Sequence, residues 1–296
     1  MICDAHLHFI PPLIASYSSF YKGVWTDKDK LFKFIQDNNI VQALVVYPST
    51  DAHINLGSYT KLCHWYNREI IKVVKENSKI IGSAIVDIGN LDKVKLQIKE
   101  LYQKGFRVVN LASSYEGKFI VDKLLPLFEC VEKYNMVIFV HPQTINPIGF
   151  ERVKDPLLMP VLEYSFDISM FMGLLLMEDI LKKFHIRFIF SSLGGVVPFL
   201  KDRFDRVYKM LLKRKLVKEI GDLPSEIFKK IYVETSGSSL DNIKLAIELF
   251  GEDKVIFGSD YPANTEIKES RSSLDKLDKE TKEKILYKNF FKLFKN

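Results

Sequence analysis

The chain has 296 residues, and 47% of them are hydrophobic, which is enough to bury a large core and excludes a disordered chain. The 43 basic and 37 acidic residues leave a formal net charge of +6, too small an excess to indicate a nucleic-acid partner. Cys3, Cys63 and Cys130 lack CxxC spacing, so neither a disulfide framework nor a thiolate metal site is predicted.

The amino terminus reads directly as a strand, which leaves no place for a signal peptide. The longest apolar run outside the predicted strands, Phe171 to Met177, is too short to cross a bilayer. We therefore expect a cytoplasmic protein that does not bind membranes.

Short apolar runs rich in Val, Ile and Phe alternate with longer amphipathic stretches along the whole chain. Most of these runs are continuously apolar, which is typical of strands buried on both faces of a parallel sheet. The predicted strands are Ile2–His8, Val41–Tyr47, Ile80–Val86, Phe106–Leu111, Met136–His141, Arg187–Ser191, Ile231–Glu234 and Lys254–Gly258. Eight such units predict a single α/β domain over residues 1–296, a (β/α)8 TIM barrel, with a doubly wound open sheet as the alternative.

Histidines and one aspartate stand where three of these strands end. His6 and His8 close strand 1, His141 closes strand 5, and Asp260 follows strand 8. Active sites of such barrels lie at the carboxyl ends of the strands, and strand 8 is next to strand 1 in a closed barrel. The four side chains are therefore expected to converge, and imidazole with carboxylate suits zinc and its neighbours among the transition metals.

Several short motifs carry a resemblance to a known family. They are Asp4-Ala5-His6-Leu7-His8-Phe9, Val140-His141-Pro142, Leu193-Gly194-Gly195-x-x-Pro198 followed by Arg203, Phe257-Gly258-Ser259-Asp260-Tyr261-Pro262, and the closing segment Ile285 to Phe294. Together they resemble the amidohydrolase superfamily, and within it the amidohydrolase-related branch that includes the aminocarboxymuconate semialdehyde decarboxylase group. The similarity extends from the first strand to the last helix.

The resemblance implies one divalent metal ion, zinc, held by His6, His8, His141 and Asp260. A metal-bound water would act as nucleophile or proton source, and Asp260 would serve as both ligand and catalytic base. The resemblance also implies a small-molecule substrate that carries a carboxylate, and a homodimer.

One position departs from the family pattern. Relatives carry a histidine directly before the Leu-Gly-Gly segment, where this chain has Ser192. A serine hydroxyl cannot shuttle protons near neutral pH, although it can donate a hydrogen bond to a substrate oxygen.

Three functional hypotheses follow from the metal ligands and this departure. The main one is a metal-dependent hydrolase of an amide, ester or lactone bond in a small organic acid. The first alternative is a non-oxidative decarboxylase of an aromatic or unsaturated carboxylic acid. The second is a metal-binding barrel with little or no catalysis, because Ser192 replaces the strand-6 histidine.

Four further residues are candidates for substrate binding or for support of the ligands. Glu234 ends strand 7, and Asn110 lies near the end of strand 4, where some superfamily members have a metal-bridging lysine. The missing lysine favours a mononuclear site. His53 follows strand 2, and Arg152, in the long segment after strand 5, could bind a substrate carboxylate.

Overall fold

The computed structural model describes residues 1–149, 151–152 and 155–294. Across these residues, eight strands form one parallel sheet in the order of the chain. The strands are β1 Ile2–His8, β2 Ile40–Val46, β3 Ile80–Ile85, β4 Val108–Ala112, β5 Val137–His141, β6 Arg187–Phe190, β7 Tyr232–Glu234 and β8 Val255–Ile256.

Helices fill the connections between the strands. The α-helices are α1 Pro12–Ala15, α2 Lys28–Asp37, α3 Ala52–Leu56, α4 Tyr59–Glu76, α5 Val94–Gln103, α6 Leu125–Lys133, α7 Tyr164–Met177, α8 Ile180–Lys183, α9 Lys201–Lys213, α10 Pro224–Phe228, α11 Leu240–Phe250, α12 Ile267–Leu274, α13 Lys279–Glu283 and α14 Asn289–Phe294. Short 3-10 segments are Gly23–Thr26, Ile88–Lys93, Val121–Leu124, Ser192–Gly194, Pro198–Leu200 and Glu252–Lys254, and π-helical turns are Met159–Glu163 and Lys284–Lys288.

The sheet closes between its first strand and the segment after its last. The Ala5 N–H donates to the Phe257 carbonyl at 2.8 Å, and the His8 N–H donates to the Tyr261 carbonyl at 2.7 Å. In the opposite direction, the Asp260 N–H donates to the His6 carbonyl at 2.9 Å. The predicted (β/α)8 barrel is therefore confirmed, and an open sheet is excluded.

Apolar side chains fill the barrel, and the carboxyl-terminal helix covers the end opposite the histidines. The buried inner cluster consists of Cys3, Ala5, Leu44, Val46, Val108, Val137, Phe139, Ile189, Tyr232, Ile256, Phe290 and Leu293. The last two lie on α14, whose Leu293 carbonyl accepts a hydrogen bond from Arg187 at the start of β6. Because the inner cluster is apolar, the polar functional side chains are expected at the mouth formed by the carboxyl ends of the strands.

The helix after β5 corrects one expectation. Met159–Met177 is one continuous helical segment of 19 residues, long and apolar enough to cross a bilayer by length and composition alone. The run Phe171 to Met177 is therefore the last part of a longer helical segment than its own length indicated. In the fold, Ile168, Phe171 and Leu175 of this segment are buried in the apolar core, as expected of a barrel helix.

Candidate metal centre

An irregularity in β1 brings His6 and His8 to the barrel mouth. The register between β1 and β2 shifts between Asp4 and Leu7. Ala5, which lies within this shift, belongs to the inner cluster. The buried Asp4 carboxylate holds the shifted backbone, because its Oδ1 accepts the N–H groups of His6 and Ser259, each at 3.0 Å. Leu7 joins the outer core, while both imidazoles face one another.

Three imidazoles meet at one point. A ring nitrogen of each of His6, His8 and His141 lies within 4.8 Å of the other two, and all three side chains are buried. The Nε2 atoms of His6 and His8 are 3.1 Å apart. On the outer side, His8 Nδ1 bonds the Val46 carbonyl and His141 Nδ1 bonds the Pro142 carbonyl, each at 2.9 Å. These outer bonds orient the rings with Nε2 toward the common point, which is the arrangement of metal-ligating histidines.

Asp260 adds an oxygen to the three nitrogens. Its Oδ1 is 3.1 Å from His8 Nε2 and 3.6 Å from His6 Nε2. The side chain is 33% exposed, so the carboxylate links the buried imidazoles to solvent. Its backbone φ of +63° is unusual for a residue other than glycine, and the bond from its N–H to the His6 carbonyl holds that conformation.

The surroundings favour metal-binding protonation states for most of the three histidines and Asp260. Burial lowers the pKa of His8, and burial together with His8 and His6 lowers the pKa of His141 well below its ordinary value. Burial opposes ionisation of Asp260, yet the neighbouring histidines hold its pKa below the ordinary value. Two neutral imidazoles and a carboxylate are the forms that bind metal ions. For His6, burial is outweighed by Glu234 and Asp260, which raise its pKa.

Glu234 is fully buried behind His6 and supports it. Its Oε1 bonds His6 Nδ1 at 2.9 Å and also accepts the Ser192 N–H at 2.7 Å. Ser236 donates its N–H and its hydroxyl to the same carboxylate, each at 2.7 Å. The Glu234 carboxylate therefore links β7 to β1 and to the 3-10 segment Ser192–Gly194 after β6, here called the β6 turn. Ser192 itself is exposed and has a positive φ of 50°.

Gly258 leaves room for this contact, and Gly258→Ala is expected to disturb it. An added Cβ would overlap Glu234 Oε2 and come within 3.0 Å of the His6 Cβ. We expect a loss of about 1–3 kcal/mol in the free energy of unfolding and about 10–100-fold weaker metal binding, as for other supporting contacts. Denaturant titration and competition with a chelator measure the two effects.

Gly173→Ala is the matched control, because an added Cβ there contacts nothing within 4 Å and the residue lies inside α7. That change is expected to leave metal affinity unchanged and to raise stability slightly. Equal stability and equal metal affinity in the two variants would contradict the role assigned to Gly258.

An aromatic wall beside His8 was not predicted from the sequence. The ring of Trp25 stacks on His8 with centroids 5.5 Å apart and an interplanar angle of 28°. Tyr21 packs edge-on against Trp25 at 4.8 Å. The segment between β1 and α2 that carries both rings has no periodic pattern, so the sequence did not indicate their position.

The remaining predicted residues lie in different places. Asn110 uses its amide on the Tyr47 backbone, accepting from the N–H at 3.1 Å and donating to the carbonyl at 3.3 Å. His53 is buried in α3 and, with Asn110, lines a small recess over β2 to β5. Arg152 is exposed on a turn and is not among the residues that line this recess.

Comparison with known proteins gives a family match over nearly the whole chain. The amidohydrolase family model matches residues 3–295. A curated relative, the 2-amino-3-carboxymuconate-6-semialdehyde decarboxylase of Dictyostelium discoideum, is 23% identical over 253 residues, which are 80% of this chain and 67% of that protein.

Solved structures share the fold at low sequence identity. The 5-carboxyvanillate decarboxylase of Novosphingobium aromaticivorans, complexed with manganese and 4-hydroxy-3-methoxy-5-nitrobenzoic acid, has a TM-score of 0.83 at 18% identity, covering 100% of this chain and 96% of that one. The 2,6-dihydroxybenzoate decarboxylase from Rhizobium has a TM-score of 0.81 at 17% identity, covering 99% of each chain. With the family model spanning all eight strands, the chain belongs to the amidohydrolase family.

Proposed function

We propose that this chain is a metal-dependent, non-oxidative decarboxylase of a small aromatic or unsaturated carboxylic acid. The observation that carries the proposal is the convergence of His6, His8 and His141 with Asp260 at the barrel mouth. Hydrolysis was the main expectation from the sequence, and decarboxylation was the first alternative. The names of the relatives, which are decarboxylases, support decarboxylation.

The residues present fit one divalent ion. Three imidazole nitrogens and one carboxylate oxygen form the donor set, and each of the three rings has an outer hydrogen-bond partner on Nδ1. Imidazole ligands bind zinc more tightly than manganese, so availability decides which of the two is bound. When bound, the ion would supply positive charge that holds and polarises an anionic oxygen of the substrate.

The chain must then supply a proton to carbon. In decarboxylation the bond between the substrate carbon and its carboxylate breaks, the electron pair stays on that carbon, carbon dioxide leaves and a proton takes its place. Asp260 is the residue we assign to passing this proton from solvent to the carbon, because its partly exposed carboxylate lies beside His8. Ser192 is too weak an acid to do so.

The wall beside His8 supports an unsaturated substrate. A planar, conjugated acid can stack on an aromatic ring such as Trp25, whereas a saturated acid gains less from that contact.

The test is a mass balance on the full chain loaded with zinc or with manganese. A panel of hydroxylated benzoates and unsaturated dicarboxylates is incubated with each form, and carbon dioxide released is compared with acid consumed. We expect at least one acid to give equal amounts of both. Hydrolysis of amides, esters or lactones without carbon dioxide would contradict the proposal and favour the hydrolase. Tight metal binding without any turnover would favour a non-catalytic barrel.

A further inference from the structure

We propose that the recess beside His53 is a subsite that receives a hydroxyl or amino group of the substrate, with His53 Nε2 as the hydrogen-bond acceptor. The inference rests on the proposed function in one respect only: it takes the ligand to be a small acid whose carboxylate lies at the candidate metal centre.

The hydrogen bonds of His53 fix which nitrogen can accept. Its Nδ1 is 2.9 Å from the Thr50 carbonyl, which can only accept, so Nδ1 carries a proton. In the neutral ring Nε2 then has a free lone pair. The side chain is 6% exposed, and Nε2 has no hydrogen-bond partner in the part of the chain that the structure describes. A buried acceptor without a donor is unfavourable, which points to a donor that arrives from outside the chain.

The nearest charged group does not satisfy this nitrogen. The Oε1 atom of Glu116 is 3.9 Å from His53 Nε2, beyond hydrogen-bond distance, and the Glu116 side chain is 60% exposed. An ion pair so exposed contributes little to stability. The ring plane is held by stacking on Tyr59, with centroids 4.5 Å apart and an interplanar angle of 27°.

The two side-chain amides of the recess already have partners. Asn110 is bonded to the Tyr47 backbone. Gln143 donates to the Ser114 carbonyl at 3.0 Å and accepts from the Ile145 N–H at 3.1 Å. Both amides are therefore engaged with the backbone, whereas His53 Nε2 is a buried acceptor without a partner among the described residues.

Size limits what the recess can receive. Its volume is about 30 Å³, whereas one water molecule needs roughly 10–15 Å³ measured in this way. A hydroxyl or amino group fits, and a second carboxylate or ring does not.

Two contacts place the recess beside the histidine cluster. Tyr47, which lines the recess, directly follows Val46, whose carbonyl holds His8. Ala112, another lining residue, is the register partner of His141 on the neighbouring strand. The recess and the cluster therefore lie at the ends of neighbouring strands, and we infer that one small ligand extends from the cluster into the recess.

The experiment compares binding of benzoate, 3-hydroxybenzoate, 4-hydroxybenzoate and the two methyl ethers to the zinc-loaded full chain by calorimetry. The 2-hydroxy isomer is left out because its hydroxyl would also reach the metal. We expect one of the two hydroxybenzoates to bind about tenfold more tightly than benzoate, and its methyl ether to lose that advantage.

His53→Phe keeps an aromatic ring but removes the acceptor, so the tenfold preference is expected to disappear while the Kd of benzoate stays the same. His53→Gln retains an acceptor and is expected to keep part of the preference. His64→Phe is the matched control, because His64 is exposed on α4, and it should keep all of it.

A preference unchanged in His53→Phe, equal loss of benzoate binding in that variant, or no preference or no binding in the natural protein would each overturn the inference. Because carbon dioxide is not measured here, a protein that shows the preference but never decarboxylates an acid would contradict the proposed function alone.

Discussion

Replacing His141 with alanine is expected to weaken binding of the divalent ion by about a hundredfold and to reduce carbon dioxide release in parallel. Zinc sites with four ligands have binding free energies of about 10–16 kcal/mol, so one ligand of four accounts for roughly 3 kcal/mol, or about two decades in Kd. His141 is the most informative of the three histidines, because its outer bond is to the adjacent Pro142 carbonyl and holds no other strand.

Metal affinity is measured by competition with a chelator, and turnover by carbon dioxide release at saturating metal. His64→Ala is the control for loss of an imidazole, since His64 lies on the exposed side of α4. An unchanged metal Kd in His141→Ala, with the fold intact by circular dichroism, would exclude His141 as a ligand.

Ser192→His is expected to raise the rate of carbon dioxide release by at least about tenfold. General acid–base catalysis by a positioned side chain contributes about 10²–10⁴-fold, and part of that should return when an imidazole is restored at the β6 turn. Ser192 is exposed and has a φ of 50°, a conformation that histidine adopts more readily than most residues. Its N–H bond to Glu234 involves only the backbone and should survive the change.

Ser192→Asn separates proton transfer from simple filling of space. Asparagine accepts the same backbone conformation but does not titrate near neutral pH. We expect the histidine variant to show a new pH dependence of kcat, and the asparagine variant to behave like the natural protein. A similar gain in both variants, or none in either, would contradict a proton-transfer role at this position.

The barrel and the location of its mouth could be predicted because they depend on patterns that one sequence contains. Strands buried on both faces are continuously apolar, and all eight appear within a few residues of their predicted bounds. The end of β5 at His141 was predicted to the residue. Strand ends in a barrel share one rim, so the convergence of residues distant in the chain follows from topology alone.

Contacts made by loops could not be predicted. The stacking of Trp25 on His8 and the burial of His53 depend on how a loop folds back over the barrel, which no local periodicity encodes. The segment Phe171 to Met177 was judged too short to cross a bilayer from its own length. Because it is apolar on nearly all sides, it has no helical periodicity that would show that the helix begins before it. The register shift in β1 has no composition signal either.

The position of Arg152 also depends on how a loop folds. A basic residue in the long segment after β5 suggested that it binds a substrate carboxylate, and this stays a prediction, because its side chain is exposed on a turn. The support for His6 was more predictable: Glu234 ends β7, the strand next to β8, so its carboxylate lies on the same rim as the ligands.

The most direct test of the account is a crystal structure of the zinc-loaded chain with anomalous diffraction measured at the zinc edge. We expect one anomalous peak per chain, about 2.0–2.2 Å from the Nε2 atoms of His6, His8 and His141 and from Asp260 Oδ1. A fully occupied peak elsewhere, or the cluster in its present hydrogen-bonded arrangement with no peak, would contradict it.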